Sequence, residues 1–286
     1  METPPQSPLH AVATRIFRSV TEWLIARRLA SERLRWRVRR FEQRGFSALL
    51  GMPRINYPYA FIAANVALMV IVLLFAAFRQ SALGGPGRAT SMALVYFGAA
   101  HTYLVFAGEY WRLLTAVFLH ADFMHLLFNC VAIWIIAPRV EGFYGSRRFL
   151  ALYLVTGVAG NATSVFVHAF SAGQPILLVG SSGAVFGLLG AGAIYGLRTG
   201  GSRGDEIFKF MMIWIGIGIL YSFLHRGDNL AHAGGALAGG LIAQMLRPDA
   251  PAHYNRSWWA AVEVGCLLLT AICFALMLHS LFTQGI

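Results

Sequence analysis

Residues 177–197 read LLVGSSGAVFGLLGAGAIYGL, with two adjacent serines, Ser181 and Ser182, at the head of an apolar, glycine-rich run. The run lacks period-two alternation, so it reads as helix rather than strand. From Ser182 to Leu197 a helix is about 24 Å long, short of the roughly 30 Å hydrocarbon core of a bilayer. In a membrane its serine end would therefore lie below the surface, roofed by the preceding loop SAGQPILLVG (171–180). Irregular backbone at that depth is tolerated only around a protein-lined or wet cavity. Gly180 and Gly183 supply the tight turn and close backbone approach of a sunken helix start. Ser181 reads as a bystander by the cavity wall.

Composition sets the membrane context. Of 286 residues, 57% are hydrophobic and 12% charged, about half the charged share of a soluble domain. Seven apolar spans are expected, at 58–78, 122–143, 148–170, 182–197, 207–224, 230–246 and 257–282. In lipid only helices and closed barrels satisfy the backbone, and runs this continuous exclude the barrel. Residues 80–121 are too apolar for a free loop and are expected to lie partly embedded at the interface. Cys130, Cys266 and Cys273 sit in apolar runs without a CxxC or an even-numbered framework. They read as packed core residues, not as disulfides or zinc ligands.

Charge orients the bundle. The net charge is +11, and eleven of the 23 basic residues precede Tyr57. A basic cluster beside a first span marks the cytoplasmic side and anionic lipid; nothing else resembles a nucleic-acid module, so no nucleic-acid partner is expected. There is no secretory signal pattern, and Glu22, Glu32 and Glu42 oppose a transit peptide. Ile16, Phe17, Val20, Trp23 and Leu24 fall on one side of an interfacial helix. An inside N-terminus also places Arg139, Arg147, Arg148, Arg198, Arg203, Lys209, Arg247 and Arg256 inside, and leaves Arg79, Arg88, Arg112 and Arg226 outside. The C-terminus then falls outside. The second, fourth and sixth spans all start at the outer face, so their first turns share a depth.

Polar groups in those turns are costly in lipid and point to function. In HADFMHLLFNC (120–130), Asp122 is a helix cap, and His125 and Asn129 lie on one face, four residues apart. His120 and His125, five apart, make a poor metal pair, and no metal or cofactor is implied. In DNLAHAGGALAGG (228–240), Asp228 or Asn229 caps, His232 sits in the first turn, and Gly235 and Gly239 form a GxxxG that admits a close neighbouring helix. Taken singly, each group fits helix packing or interhelical hydrogen bonding equally well. Together they put Ser182, a base for it in His232, and oxyanion donors in His125, Asn129 and the Ser182 N–H at one depth.

These residues resemble the rhomboid family of intramembrane serine proteases over about residues 58–250. GEYWRLLTAVFLHADFMHLLFN (108–129) resembles the family's embedded Trp-Arg loop and HxxxN helix, giving Trp111, Arg112, His125 and Asn129. GSSG resembles the catalytic GxSG with Ser182 as nucleophile, and AHAGGALAGG the helix of the catalytic histidine, His232. Phe186 falls where the family places an aromatic ring against that histidine, and Glu141 near its acidic residue at the inner end of the second helix. Pro138, where relatives often carry small residues, introduces a possible kink. The resemblance implies an all-α integral membrane protein, a rhomboid-like bundle of six transmembrane helices plus a C-terminal seventh. Its domains would be a basic cytoplasmic region 1–57, a catalytic core 58–250 and an additional helix 251–286. The late position of the extra helix argues against the mitochondrial relatives, and Arg in place of Lys suits a bacterial inner membrane.

The activity implied is endoproteolysis of transmembrane-helix substrates in the lipid bilayer, near the outer face, by a Ser182–His232 dyad. Asp228, one turn before His232, either orients that histidine or simply caps the helix. The fifth span is the expected gate, with Gly216 and Gly218 allowing it to flex. Two other readings compete: a rhomboid-like pseudoprotease that binds or escorts membrane proteins, against which both Ser182 and His232 are retained, and a transporter using His120, His125 and His232, for which Glu263 is the one clear intramembrane carboxylate. The sequence specifies no oligomeric state.

Overall fold

The computed structural model describes residues 55–83, 85–171, 175–225, 227–246 and 256–283. The basic N-terminal region with its expected interfacial face, Arg226, Arg247 and residues 172–174 of the roof loop lie outside the described residues. The chain divides into two units, Met1–Ile55 with Asp249–Leu267, and Asn56–Pro248 with Leu268–Ile286. Among the described residues the first unit contributes Ile55 and the opening turns of the last helix; the second carries the helical bundle.

Helix α1 (Tyr57–Arg79) is capped by Asn56, whose side chain accepts the Tyr59 N–H at 3.4 Å, and carries Pro58 in its first turn, where a missing N–H costs nothing. The segment after it is a broken path: α2 (Pro86–Tyr96), strand β1 (Ala100–His101), the short α3 (Thr102–Phe106) and α4 (Arg112–Thr115), and a 3-10 turn at Ala116–Phe118. Gly98 and Gly108, at φ +92° and +102°, let it double back. Trp111 and Arg112 fasten this path. Arg112 is fully buried, bonds Glu109 at 2.6 Å and donates to the carbonyls of Val95, in the last turn of α2, at 2.5 Å and of Ala99, just past its end, at 3.3 Å. Its guanidinium also lies 4.5 Å over the Trp111 ring. Burial draws the Arg112 pKa below its ordinary value, and the bond and charge of Glu109 oppose that pull.

Helix α5 (Phe123–Tyr144) starts at Asp122, which accepts the His125 N–H at 2.8 Å, and runs unbroken past Pro138 to Gly145 at φ +80°. Glu141 lies in its last turn, where its carbonyl accepts the Gly145 N–H. Helix α6 (Ser146–Ser171) follows. Strand β2 (Leu177–Leu178) then pairs antiparallel with β1, Ala100 opposite Leu178 and His101 opposite Leu177. In chain order there follow α7 (Ser182–Thr199), α8 (Gly201–His225), α9 (Asn229–Met245) and α10 (Arg256–Thr283). Helix α8 starts at Gly201 rather than near 207, because Gly200 and Gly201, at φ +65° and +60°, make the whole turn from α7.

Among the described residues five helices, α1, α5, α6, α8 and α10 from Trp258 onward, are long and apolar enough to cross a membrane. Helices α7 and α9 are shorter, at 18 and 17 residues. The chain is an all-α membrane protein. Helix α7 is buried almost all round, as a helix enclosed by other helices must be, and glycine allows that enclosure. A Cβ on Gly235 would lie 2.0 Å from the Gly183 carbonyl oxygen, and one on Gly239 1.9 Å from that of Gly187, so α9 rests on α7 backbone to backbone. Gly160 likewise lets α6 approach α9, since a Cβ there would lie 2.6 Å from the Ala231 oxygen, and Gly196 and Gly204 do the same between α7 and α8. Such contacts suit a lipid setting, where association depends on close van der Waals packing.

Candidate active site

Where α5, α7 and α9 begin and α6 and α8 end, the bundle encloses a cavity of about 620 Å³. Ser182, His232, His125, Asn129 and Phe186 all line it, joined by residues 176–179 of the β2 segment and by Trp214, Tyr221 and His225 of α8. Sequence had placed the first four on three separate helices at one depth, and the resemblance had added Phe186. Trp111 and Arg112 lie elsewhere, in the embedded path, and Gly235 and Gly239 lie in the α7–α9 contact.

His232 occupies the first turn of α9, whose cap is Asp228, accepting the Ala231 N–H at 2.9 Å. Its ring stacks on Phe186 of α7 at 4.1 Å and 5°. Gly218 of α8 meets the edge of the Phe186 ring, since a Cβ there would fall 2.6 Å from its Cζ and 2.8 Å from its Cε2. His232 Nδ1 is buried and has no hydrogen-bond partner among the described residues.

Opposite, Gly180 adopts φ +125°, and a Cβ there would lie 2.7 Å from both Cε1 and Nε2 of His125. The backbone just before α7 is therefore pressed against the His125 imidazole, which only glycine permits. Asn129 donates its side-chain amide to the His125 carbonyl one turn back, at 3.0 Å, and its Nδ2 lies 3.9 Å from the same Cβ position on Gly180. Ser182 starts α7, where N–H groups point out of the helix end. Ser182, His125, Asn129 and His232 thus bring a hydroxyl, two imidazoles and an amide to the lining of one cavity.

Ser181 is not a bystander. It is fully buried, does not line the cavity, accepts from Asn65 Nδ2 of α1 at 3.5 Å, and lies 3.4 Å from Nε2 of buried His120. His120 in turn meets the His125 ring edge-on at 5.2 Å. The two serines thus face opposite ways, one into the cavity and one into a polar knot that braces His125 from behind. Sequence reasoning passed over Asn65 and His168, a cavity-lining residue on α6. Both are polar side chains inside apolar spans, the same signal that marked His125.

Residues 107–249, half of the chain, match the family model for the rhomboid domain. The chain belongs to the rhomboid family. It is 31% identical over 234 residues to "Rhomboid protease GluP" of Bacillus subtilis, covering 80% of this chain and 41% of that protein. It is 37% identical over 182 residues to "RHOMBOID-like protein 5" of Arabidopsis thaliana, covering 62% of this chain and 57% of the relative. A similarity of 28% over 232 residues to "Rhomboid-like protease 3" of Toxoplasma gondii covers 80% and 82%. The chain spans about two fifths of the first relative's length and somewhat more than half of the second's.

Proposed function

We propose that the protein is an intramembrane serine endopeptidase that cleaves the transmembrane segments of other membrane proteins near the outer face of the bilayer. The observation that carries this reading is the single cavity lined by Ser182, by His232 stacked on Phe186, and by His125 and Asn129. In it, His232 takes the proton of Ser182 as the hydroxyl attacks a backbone carbonyl. The oxyanion is held by the Ser182 N–H, His125 and Asn129. His232 then protonates the leaving amine, and water, entering the cavity, hydrolyses the acyl-enzyme with His232 again as base. The relatives named as proteases support the same chemistry.

In this reading residues 1–57 form a cytoplasmic basic region, 58–250 the catalytic core, and 251–286 an additional helix ending outside, in a bacterial inner membrane. Substrate enters past α8, whose Tyr221 ring meets Phe128 of α5 at 4.1 Å across the cavity lining. Gly216, at which an added Cβ meets nothing within 4 Å, leaves α8 room to flex there.

The test is labelling of the purified full-length protein with a fluorophosphonate, beside cleavage of a single-span substrate in proteoliposomes. Wild type is expected to label and cleave, and Ser182→Ala and His232→Ala to do neither. A wild type that binds the substrate without labelling would instead make the protein a membrane-protein binding factor and end the protease reading.

A further inference from the structure

The base of the proposed dyad is oriented by something other than a hydrogen bond at its buried ring nitrogen. His232 Nδ1 is unpaired among the described residues, and the carboxylate one turn earlier, Asp228, is committed elsewhere. One oxygen of Asp228 accepts the Ala231 N–H at 2.9 Å, and the other accepts the hydroxyl of Ser164 on α6. Orientation of His232 therefore depends on two things, its stack on Phe186 and the placement of the first turn of α9.

Ser164 is fully buried. Its Oγ lies 3.3 Å from His168 Nδ1, which is also 3.0 Å from the Ser164 carbonyl oxygen. A carbonyl only accepts, so Nδ1 carries the proton and the serine hydroxyl is left to donate to Asp228. The donors run in one direction, from His168 to Ser164 to the Asp228 carboxylate. The backbones beneath are already in contact. Gly160, one turn before Ser164, sits against the Ala231 carbonyl, and a Cβ on Gly234 would lie 2.3 Å from Thr163 Oγ1. Helix α9 is thus pressed onto α6 by glycine and pinned in height and rotation by Ser164.

We infer that Ser164 is a positioning residue for the reaction: by holding the cap carboxylate of α9 it fixes the turn that carries His232 against Phe186 and toward Ser182. Asp228 then serves the base through the helix start rather than as a third member bonded to the imidazole. This inference rests on the proteolytic reading above.

The experiment is a double-mutant cycle on the full-length protein, read as the rate constant for fluorophosphonate labelling of Ser182. That rate is independent of how much of the sample is folded. Ser164→Ala is expected to slow labelling roughly tenfold, the scale of one hydrogen bond to a charged group. Ser164→Thr, which keeps the hydroxyl, is expected to restore most of the rate. In an Asp228→Ala background, Ser164→Ala is expected to add no further loss, because both changes break one link. Wild-type labelling in Ser164→Ala, or losses that multiply, would overturn the inference and leave the protease reading intact. A wild type that does not label overturns both. If Ser164→Ala does not accumulate, Asp228→Asn carries the test: it keeps a cap oxygen for Ala231 but removes the charge facing Ser164, and an unchanged rate there is equally fatal.

Discussion

Gly235→Ala is the substitution that most directly couples packing to chemistry here. The added methyl would sit 2.0 Å from the Gly183 carbonyl oxygen, 2.9 Å from its carbon and 3.2 Å from its Cα. Ordinary contact begins near 3.4 Å, so α7 and α9 must part by about 1.4 Å at that point, and the obstacle is backbone that cannot swing aside. Gly183 directly follows Ser182, and Gly235 lies one turn after His232. The parting therefore falls almost wholly on the Ser182–His232 separation. Misplacement of reacting groups by about 1 Å is worth roughly a hundredfold in rate. Overpacking costs about 1–3 kcal/mol of stability, offset by up to ~1 kcal/mol from replacing a helical glycine with alanine. We expect Gly235→Ala to fold with a modestly lowered unfolding temperature and to lose about a hundredfold in fluorophosphonate labelling and in substrate cleavage. Gly183→Ala should lose far less, since its Cβ would meet Ala231 and Gly160 at 3.5 and 3.6 Å. Gly142→Ala, with nothing within 4 Å of the new atom, is the control for helix propensity alone. Labelling of Gly235→Ala within threefold of wild type would refute the claim that glycine contact sets the proposed dyad.

Three further outcomes are expected. Phe186→Leu removes the ring stacked on His232; an aromatic stack worth about 0.5–1.5 kcal/mol corresponds to a loss of up to roughly tenfold in labelling rate, and an unchanged rate would mean that the stack does not hold the proposed base. Ser181→Ala strands Asn65 Nδ2 and His120 Nε2 in a buried site and should cost about 1–3 kcal/mol, seen as earlier thermal unfolding, while folded protein still labels at Ser182; equal thermal stability would sink the assignment of Ser181 to the knot. His125→Ala and Asn129→Ala should each lower turnover roughly a hundredfold or more, the usual effect of losing an oxyanion donor, and wild-type turnover in both would return them to a packing role.

Much of the fold was legible because the bilayer imposes a rule that a sequence must obey locally. A spanning helix has to be apolar over a fixed length, so the ends of α1, α5, α6, α7 and α9 fall within two residues of where hydropathy placed them. Caps are equally local: Asp122 and Asp228 each satisfy an N–H three residues ahead, and spacing alone reveals that. Polar residues in apolar runs stand out for the same reason. Hence Ser182, His125, Asn129 and His232, which line one cavity, stand out in the sequence itself.

Tertiary structure decided what depends on which neighbour lies across a gap. The path of residues 80–121 is apolar without a single period, and its course is set by Arg112 reaching back to the carbonyls of Val95 and Ala99 and by β1 pairing with a distant strand, Ala100 opposite Leu178. The two serines of GSSG are chemically identical in sequence. Only the packing of α1 and His120 behind one of them, and of α9 before the other, gives Ser181 to the knot and Ser182 to the cavity. Whether Asp228 serves the imidazole or the helix was likewise open until Ser164, from a helix 64 residues earlier, took its second oxygen. Sequence fixes which groups must be buried in lipid, since solvation is a property of each residue. It does not fix their partners, because hydrogen bonds and glycine contacts between helices are made by atoms that only the assembled bundle brings within reach.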